Sequence, residues 1–205
     1  MTITNYTTLQ STVADFLNRS DLTSVIPVFI QLAETQMNRD VRHWRQQRRV
    51  TTTANEQFED LPVDFIEAIH FYIDTTNGEK TLEFASMAEM SRRKINAGSS
   101  SGEPVVYTLN SGQIEFFPTP DQIYGLTMIY YAKTDALSAS NTTNWIIDHH
   151  PDAYLYGTLL HSAPYLAEDS RTAIWAQMYS AAVKNINDES ESAIYSGGPL
   201  VLRNK

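Results

Sequence analysis

The spacing of the apolar residues divides this chain into segments of two different kinds. Near both ends, apolar residues recur every three or four positions, as they do on one face of an α-helix. From Arg48 onward, β-branched residues alternate with other residues instead, which is typical of a β-strand. Because a helix and a strand have different periods, the pattern predicts an α+β protein with a β-rich middle.

Two helices are predicted on each side of that middle. The N-terminal pair covers about residues 5–18 and 25–44, and the short polar link between them favours an antiparallel hairpin. The C-terminal pair begins at Pro151, which can open a helix reaching about residue 166, and resumes near Ser170. The simplest assembly joins the two hairpins into a helical bundle and inserts the β-rich domain between them.

The middle of the chain carries separate strand and turn signals. Residues 65–73 and 125–131 are predicted strands, and Asn110, Ser111 and Gly112 form a hairpin signal between strands at 105–109 and 113–117. Ser86 and Glu89 have the spacing of a capping box at the start of a short helix.

These patterns predict four consecutive segments. An N-terminal helical hairpin occupies residues 1–47, an inserted β-rich domain with one short helix 48–137, and a C-terminal helical hairpin 138–189. Residues 190–205 are too polar and glycine-rich to form an element of their own and are expected to be an extended C-terminal arm.

Composition narrows the classes of function. The chain has 205 residues and no cysteine, which excludes disulfides and thiolate metal sites. It shows neither a secretory signal nor an apolar run near the ~20 residues of a membrane helix, so we expect a soluble protein made in the cytoplasm. Its formal net charge of −9 is the wrong sign for a protein that grips DNA phosphates.

One dense group of titratable residues could carry chemistry. Asp148, His149, His150 and Asp152 lie together in the sequence, and His161 follows. Histidines with carboxylates can hold a metal, but neighbouring residues point in different directions. Capping of the helix start and contact with solvent are therefore favoured over a metal or interface role. Nucleophile elbows, phosphate loops and dinucleotide fingerprints are absent from the sequence. We therefore assign no catalytic, cofactor-binding or metal residues and predict that the protein is not an enzyme.

A basic strip lies at the predicted end of the second helix. It consists of Arg39, Arg42, Arg45, Arg48 and Arg49. A solvated helix end is one explanation, because cations are stabilised near a helix C-terminus. An ion-pair surface against a neighbouring copy of this acidic chain is the second, and contact with DNA phosphates ranks third.

Several longer stretches resemble one protein family. They are DLTSVIPVFIQLAETQMNRDVR at 21–42, LPVDFIEA at 61–68, GEPVVYTLNSGQIEFFPTPD at 102–121 followed by LTMIYYAK, and HPDAYLYGTLLHSAPYLAEDSRTAIWAQMY at 150–179. In this order and spacing they are similar to the head-to-tail adaptor proteins of tailed bacteriophages. This family is also called connector or head-completion proteins, and it is related to the upper tail-tube proteins of short-tailed phages.

The resemblance implies a structural role in the neck of the virion, after assembly in the host cytoplasm. It implies a closed ring of about twelve copies that binds the portal, continues the DNA channel and offers a platform to the next tail protein. DNA would pass without specific binding, and no cofactor or membrane is involved. The family's C-terminal extensions commonly reach into the portal, and residues 190–205 are the matching piece here. Within it, the expected docking arm is Pro199, Leu200, Val201, Leu202 and Arg203.

Three other functions remain open at the level of sequence. The nearest is another layer of the neck or tail tube. The second is a binding module whose β-domain recognises a glycan or a host surface, since the chain is rich in tyrosine. The third is a metal-dependent hydrolase that uses His149, His150 and Asp152, and it ranks well behind the others.

Overall fold

The computed structural model describes residues 2–98, 100–166 and 170–196, which form two compact units. We call the described part of 1–46 and 134–205 the helical unit, and residues 47–133 the β unit. Helices together with mainly antiparallel sheets confirm the predicted α+β class.

The elements follow one another along the chain as helices, then strands around one helix, then helices again. They are α1 (Tyr6–Leu17), α2 (Ile26–Asp40), β1 (Gln47–Ala54), β2 (Phe58–Asp60), β3 (Phe65–Thr75), β4 (Gly78–Thr81), β5 (Glu83–Phe84), α3 (Met87–Ala97), β6 (Val106–Asn110), β7 (Gln113–Phe117), β8 (Tyr124–Ala132), α4 (Trp145–His149), α5 (Pro151–Ser162) and α6 (Thr172–Tyr195).

Local sequence explains both ends of α1. The Asn5 side chain accepts from the backbone N–H of Thr8 at 2.9 Å, and the Thr8 hydroxyl oxygen accepts from the N–H of Asn5 at 2.9 Å. This reciprocal pair satisfies two of the N–H groups that a helix start leaves free. At the other end Asn18 adopts a left-handed conformation with φ of 52°, which asparagine tolerates better than most residues.

Helix α2 is shorter than its apolar stripe predicts. The stripe runs to Trp44, but α2 ends at Asp40, Val41 is extended, and Trp44–Gln46 form a 3-10 turn. Side chains of α6 accept hydrogen bonds from the backbone N–H groups of this segment, as described below. Tertiary contacts therefore end the helix before the apolar stripe ends.

Helix α5 lies at the centre of the helical unit and contacts α1, α2, α4 and α6. Its buried residues point in several directions, which is typical of a helix enclosed by others. Gly157 marks the closest approach. A Cβ atom there would stand 3.2 Å from the Tyr179 ring of α6 and 3.3 Å from Ala33 Cβ of α2. The lack of a side chain at Gly157 therefore permits these three helices to pack together.

The β unit contains two four-stranded sheets, with strand orders β1-β8-β3-β4 and β2-β7-β6-β5. The predicted hairpin joins β6 to β7, with Asn110 paired to Gln113. Ser111 and Gly112, between them, have φ of 53° and 82°, the positive angles that a two-residue hairpin turn needs. Strand β5 is parallel to β6, whereas the other named strand pairs are antiparallel.

Apolar residues from both sheets form the core of the β unit. Phe71 of β3 and Tyr107 of β6 lie 4.8 Å apart between ring centroids, and Ile114 and Leu126 are fully buried beside them. The predicted capping residue Ser86 accepts from the N–H of Glu89 at the start of α3. Helix α3 covers a smaller cluster through Met90.

Two predicted boundaries differ from the structure. Residues 134–137 were assigned to the β-rich domain, but the N–H groups of Thr134 and Leu137 donate to the side chains of Asn38 and Glu34 on α2. The extended arm was predicted from residue 190, which is wrong for residues 190–195 because α6 continues to Tyr195. Ser190 is buried and bonded to a neighbouring segment, a contact that composition does not reveal.

Helix α4 was not predicted, and the pairing of the helices into two hairpins stays a prediction. Asn144, which precedes the first predicted helix of the C-terminal hairpin, is the N-cap of α4, and its side chain accepts from the N–H groups of Ile146 and Ile147 at 3.1 Å each. Across the described ranges, no helix is both long enough and apolar enough to span a membrane.

We predict that Gly157→Leu lowers the free energy of unfolding by about 1–3 kcal/mol, because the new side chain must displace Tyr179 or Ala33 in a packed core. Urea unfolding followed by circular dichroism measures this effect. Ala173→Leu, at an exposed position of α6, is the matched control and should change stability by less than about 0.5 kcal/mol. Equal effects of the two substitutions would contradict the close packing at Gly157.

Candidate functional site

Helix α6 holds the segment that follows α2 through three hydrogen bonds. Asn187 accepts from the backbone N–H of Arg42 at 2.9 Å and donates to the carbonyl of Asp40 at 3.1 Å. Ser190 accepts from the backbone N–H of Trp44 at 3.0 Å. These side chains replace the backbone partners that a longer α2 would supply, and they fix the position of the residue between them, His43.

His43 is fully buried and held on three sides. Its backbone N–H donates to the Gln46 side chain at 2.9 Å, and its ring stacks on Trp145 with centroids 4.8 Å apart and planes 17° apart. Its Nδ1 accepts from the backbone N–H of Arg45 at 3.2 Å. The remaining ring nitrogen, Nε2, is buried without a hydrogen-bond partner. An unpaired buried polar atom is uncommon in a folded protein and calls for an explanation.

His150 and Glu189 face the same point as His43. His150 connects α4 to α5, and its Nε2 is also buried without a hydrogen-bond partner. The Glu189 carboxylate lies 3.6 Å from His150 Nε2 and 3.9 Å from His43 Nε2. The side chain of Glu189 is 52% exposed and that of His150 15%, so the group opens to solvent on the glutamate side.

Burial dominates the electrostatics of both histidines. Desolvation lowers the pKa of His43 to about 4, although the Glu189 carboxylate acts in the opposite direction. The pKa of His150 is lowered for the same reason, and it is raised to a smaller extent by Glu189 and Asp152. Both imidazoles are therefore neutral at pH 7, the form in which a ring nitrogen can bind a metal.

His43, His150 and Glu189 form the one group of three or more potential metal ligands within the described residues, and their donor atoms all lie within 4.8 Å of one another. Sequence analysis missed this group because its members are far apart in the chain. In the sequence, His43 lies between the strip arginines Arg42 and Arg45, and His150 lies within the 148–152 cluster. Only the packing of α6 against both segments brings them together.

The other members of the 148–152 cluster do not join that site. His149 and Asp148 are exposed on α4, and Asp152 lies in the first turn of α5, where a negative charge complements the helix dipole. His150 occupies the N-cap position of α5 but makes no side-chain capping bond. His161 contacts Gln36 at 2.8 Å instead. The hydrolase hypothesis based on His149, His150 and Asp152 therefore gains no support from this geometry.

The predicted basic strip is divided between the two units. Arg39 lies in α2, Arg42 and Arg45 follow it in the helical unit, and Arg48 and Arg49 belong to β1. All five have contacts within the chain.

Within those contacts, Arg42 donates to the carbonyl of Val41 at 2.7 Å, and Arg45 lies over the Trp44 ring at 4.6 Å. In the β unit, Arg48 pairs with Asp64 at 2.6 Å and Arg49 donates to the Tyr72 hydroxyl at 2.6 Å. A role of these arginines in subunit contact stays a prediction.

The predicted docking arm cannot be placed. Pro199, Leu200, Val201, Leu202 and Arg203 lie outside the described residues, and their proposed contact with a portal stays a prediction.

A second buried polar group in the helical unit is hydrogen-bonded within the fold. Glu34 of α2 accepts from the Leu137 N–H at 2.7 Å and from the Tyr154 hydroxyl at 3.0 Å. Asn144 donates both to Tyr154 Oη at 2.6 Å and to the carbonyl of Asp135 at 2.8 Å. Burial raises the pKa of Glu34, and the two hydrogen bonds limit that rise. This network ties residues 134–144 to α2 and α5, which is a structural role.

The β unit has a shallow cavity of about 510 Å³ beside a buried ion pair. Glu115 is buried, accepts from Gln57 at 3.0 Å and pairs with Lys94 of α3. The cavity is lined by Gln57, Lys94, Gly98, Ser100, Ser101, Phe117 and Thr119. Lys94 pairs with Glu115 beside the cavity, and the other polar side chains of the described lining are hydroxyl and amide groups.

Comparison with models of protein families identifies a family that the chain matches. The model of a protein family described as SU10 adaptor protein matches residues 4–203, nearly the whole chain. No curated protein matches it.

We predict that Glu34→Gln changes how stability depends on pH. Because burial raises the pKa of Glu34, the folded protein keeps the proton at a pH where the unfolded chain, with a pKa of about 4.3, has lost it. The wild type should therefore lose stability relative to Glu34→Gln as the pH rises through this window. Urea unfolding at several pH values measures the difference, and a difference that does not change with pH would contradict a raised pKa.

Proposed function

We propose that this chain, which belongs to the SU10 adaptor protein family of phage head–tail adaptors, forms a ring between the portal and the tail. The match of the family model over nearly the whole chain carries this proposal. In this role the protein is a structural component of the virion that continues the DNA channel and provides the surface to which the next neck or tail protein binds.

Apolar side chains on the outside of the helical unit support an assembly of several copies. Helix α2 exposes Val28 and Leu32, one turn apart, although its opposite face is already buried in the core. Helix α6 likewise exposes Ile174 and Met178. Exposed apolar side chains that join into a contiguous patch mark surfaces that bind another protein. In a closed ring, one such surface of each copy contacts a different surface of its neighbour.

The negative net charge of the chain agrees with DNA passing through a channel and not with tight binding of DNA phosphates. Phosphate binding is driven by the release of counterions when cationic side chains neutralise DNA, and this chain has a formal net charge of −9. The predicted strip arginines that the structure describes also contact groups of their own chain. DNA moving through a ring of such subunits would not be held by its phosphates.

Contact with the portal is assigned to the docking arm, Pro199 to Arg203. Apolar residues near a chain end can order on a partner surface, and four of the five arm residues, Pro199 to Leu202, are apolar. Under this proposal the arm supplies affinity for the portal, and the helical unit supplies contacts between neighbouring copies.

Sedimentation of the purified chain with and without the portal ring of the same phage tests the portal contact. We expect co-sedimentation in a fixed ratio typical of a ring, and loss of it when the chain is truncated after Ser196, which keeps α6 complete. A chain whose residues 197–205 are replaced by a Gly/Ser segment of equal length is the matched control for length and should also fail to bind. Absence of binding to an intact portal would instead place the protein in a lower neck layer or among binding modules.

A second prediction addresses contacts between copies. Leu32→Glu puts a charge on the exposed apolar face of α2 and should prevent ring formation on the portal, whereas the far-UV circular dichroism and melting temperature of the free chain stay close to wild type. Gln31→Glu, at the exposed neighbouring position, adds the same charge and should still assemble. Normal rings formed by Leu32→Glu would exclude this face from the subunit contact.

A further inference from the structure

We propose that the helical unit binds one divalent transition-metal ion of the zinc class through His43, His150 and Glu189. The three ligands are not among the residues proposed for the portal and subunit contacts, and the proposal does not depend on those contacts.

The ligand set fits the chemistry of such an ion. Two imidazole nitrogens and one carboxylate oxygen are ligands that zinc accepts, whereas magnesium and calcium prefer oxygen ligands alone. The three donor atoms lie within 4.8 Å of one another, and the carboxylate stands 3.6 Å and 3.9 Å from the two nitrogens. Donor atoms around a tetrahedral zinc are roughly 3.4 Å apart for bond lengths of about 2.1 Å. The donor atoms must therefore approach one another to close the site, and the exposed Glu189 side chain is free to move toward the two rings.

The unpaired nitrogens are the second observation. Nε2 of His43 is in a fully buried ring, Nε2 of His150 is also buried, and neither has a hydrogen-bond partner. Buried polar atoms without partners are destabilising, and here two of them face the same carboxylate. An ion between them would satisfy both nitrogens at once, which no side chain in contact with them does.

The surroundings hold the ligands in place without the ion. The His43 ring is fixed by its stacking on Trp145, and its backbone is fixed between Asn187 and Ser190 of α6. His150 is fixed by the junction of α4 with α5, and the Trp145 ring packs edge-on against it. Only Glu189 is exposed, so it is the ligand that can move aside to admit the ion from solvent.

Coordination changes the protonation of His43 in a defined way. Its Nδ1 accepts the N–H of Arg45, so in the neutral ring the proton is on Nε2. An ion bound at Nε2 takes the lone pair of that nitrogen, and the ring proton moves to Nδ1 with no net release. The contact with Arg45, at 3.2 Å a long hydrogen bond, is given up for a coordinate bond.

Nearby charges have opposite effects on the binding of a cation. Arg45 and His149 disfavour a cation at His43, whereas Glu189 favours it, and Asp152 favours a cation at His150. A bound ion would connect three separate parts of the helical unit, namely the segment after α2, the α4–α5 junction and α6. With three protein ligands, one tetrahedral position stays open for water or for a ligand from another molecule.

Titration of the untagged, metal-free full chain with Zn²⁺ by calorimetry at neutral pH tests the proposal. We expect one ion per chain and a higher melting temperature in the presence of Zn²⁺. Cobalt in place of zinc should give the visible absorption bands of a four-coordinate site, a signal that weak surface binding does not produce. Absence of stoichiometric binding at micromolar Zn²⁺ would overturn the proposal.

Two matched pairs of variants identify the ligands. Glu189→Gln and His150→Gln should each weaken Zn²⁺ binding by about tenfold or more and abolish the cobalt bands. Glu191→Gln, also exposed on α6, and His149→Gln, the exposed neighbour of His150, should leave both signals unchanged. Equal losses in the control variants would show adventitious surface binding and overturn the assignment. Because Glu189 is exposed, Glu189→Gln should fold normally, and portal sedimentation is a separate measurement with a separate outcome.

Discussion

Helix α5 is enclosed by the other helices of its unit, and this enclosure determines how closely α2 and α6 approach each other. Its buried residues leave no continuous face for solvent, and it contacts α1, α2, α4 and α6. The approach of α2 and α6 depends on Gly157, because a larger side chain would meet Tyr179 and Ala33. Once α6 is held at that distance, its later turns reach the segment that follows α2, and Asn187 and Ser190 complete the backbone hydrogen bonds there.

The helical unit contains two buried polar groups with opposite properties. Around Glu34, donors and acceptors are matched, with Leu137 and Tyr154 donating to the carboxylate and Asn144 completing the chain of bonds. Around His43 they are not matched, since two ring nitrogens face one carboxylate beyond hydrogen-bond distance. A matched network is explained by stability alone, because each partner offsets the cost of burial. Burial of ring nitrogens without partners is not explained by stability, and it is the feature on which we base the proposed ligand site.

The two units differ in what they offer to a partner. The helical unit exposes apolar residues on α2 and α6 and contains the group of potential metal ligands, whereas the β unit has its core between two sheets and a buried ion pair under α3. This distribution agrees with a structural role in the adaptor family. A metal ion bound by three segments would make the helical unit more rigid.

The sequence by itself determined the α+β class, the positions of most helices and strands, the hairpin turn at Ser111 and Gly112, and the family. Each of these depends on local patterns, such as the period of apolar residues, the positive φ that a turn requires, or motifs in a fixed order. The tertiary structure alone decided where α2 ends, that α6 continues beyond residue 190, and that His43 meets His150 and Glu189. These features rest on contacts between residues more than 35 positions apart in the sequence. Side chains of α6, for example, accept hydrogen bonds from the backbone of the segment after α2. A local sequence pattern does not indicate such distant partners.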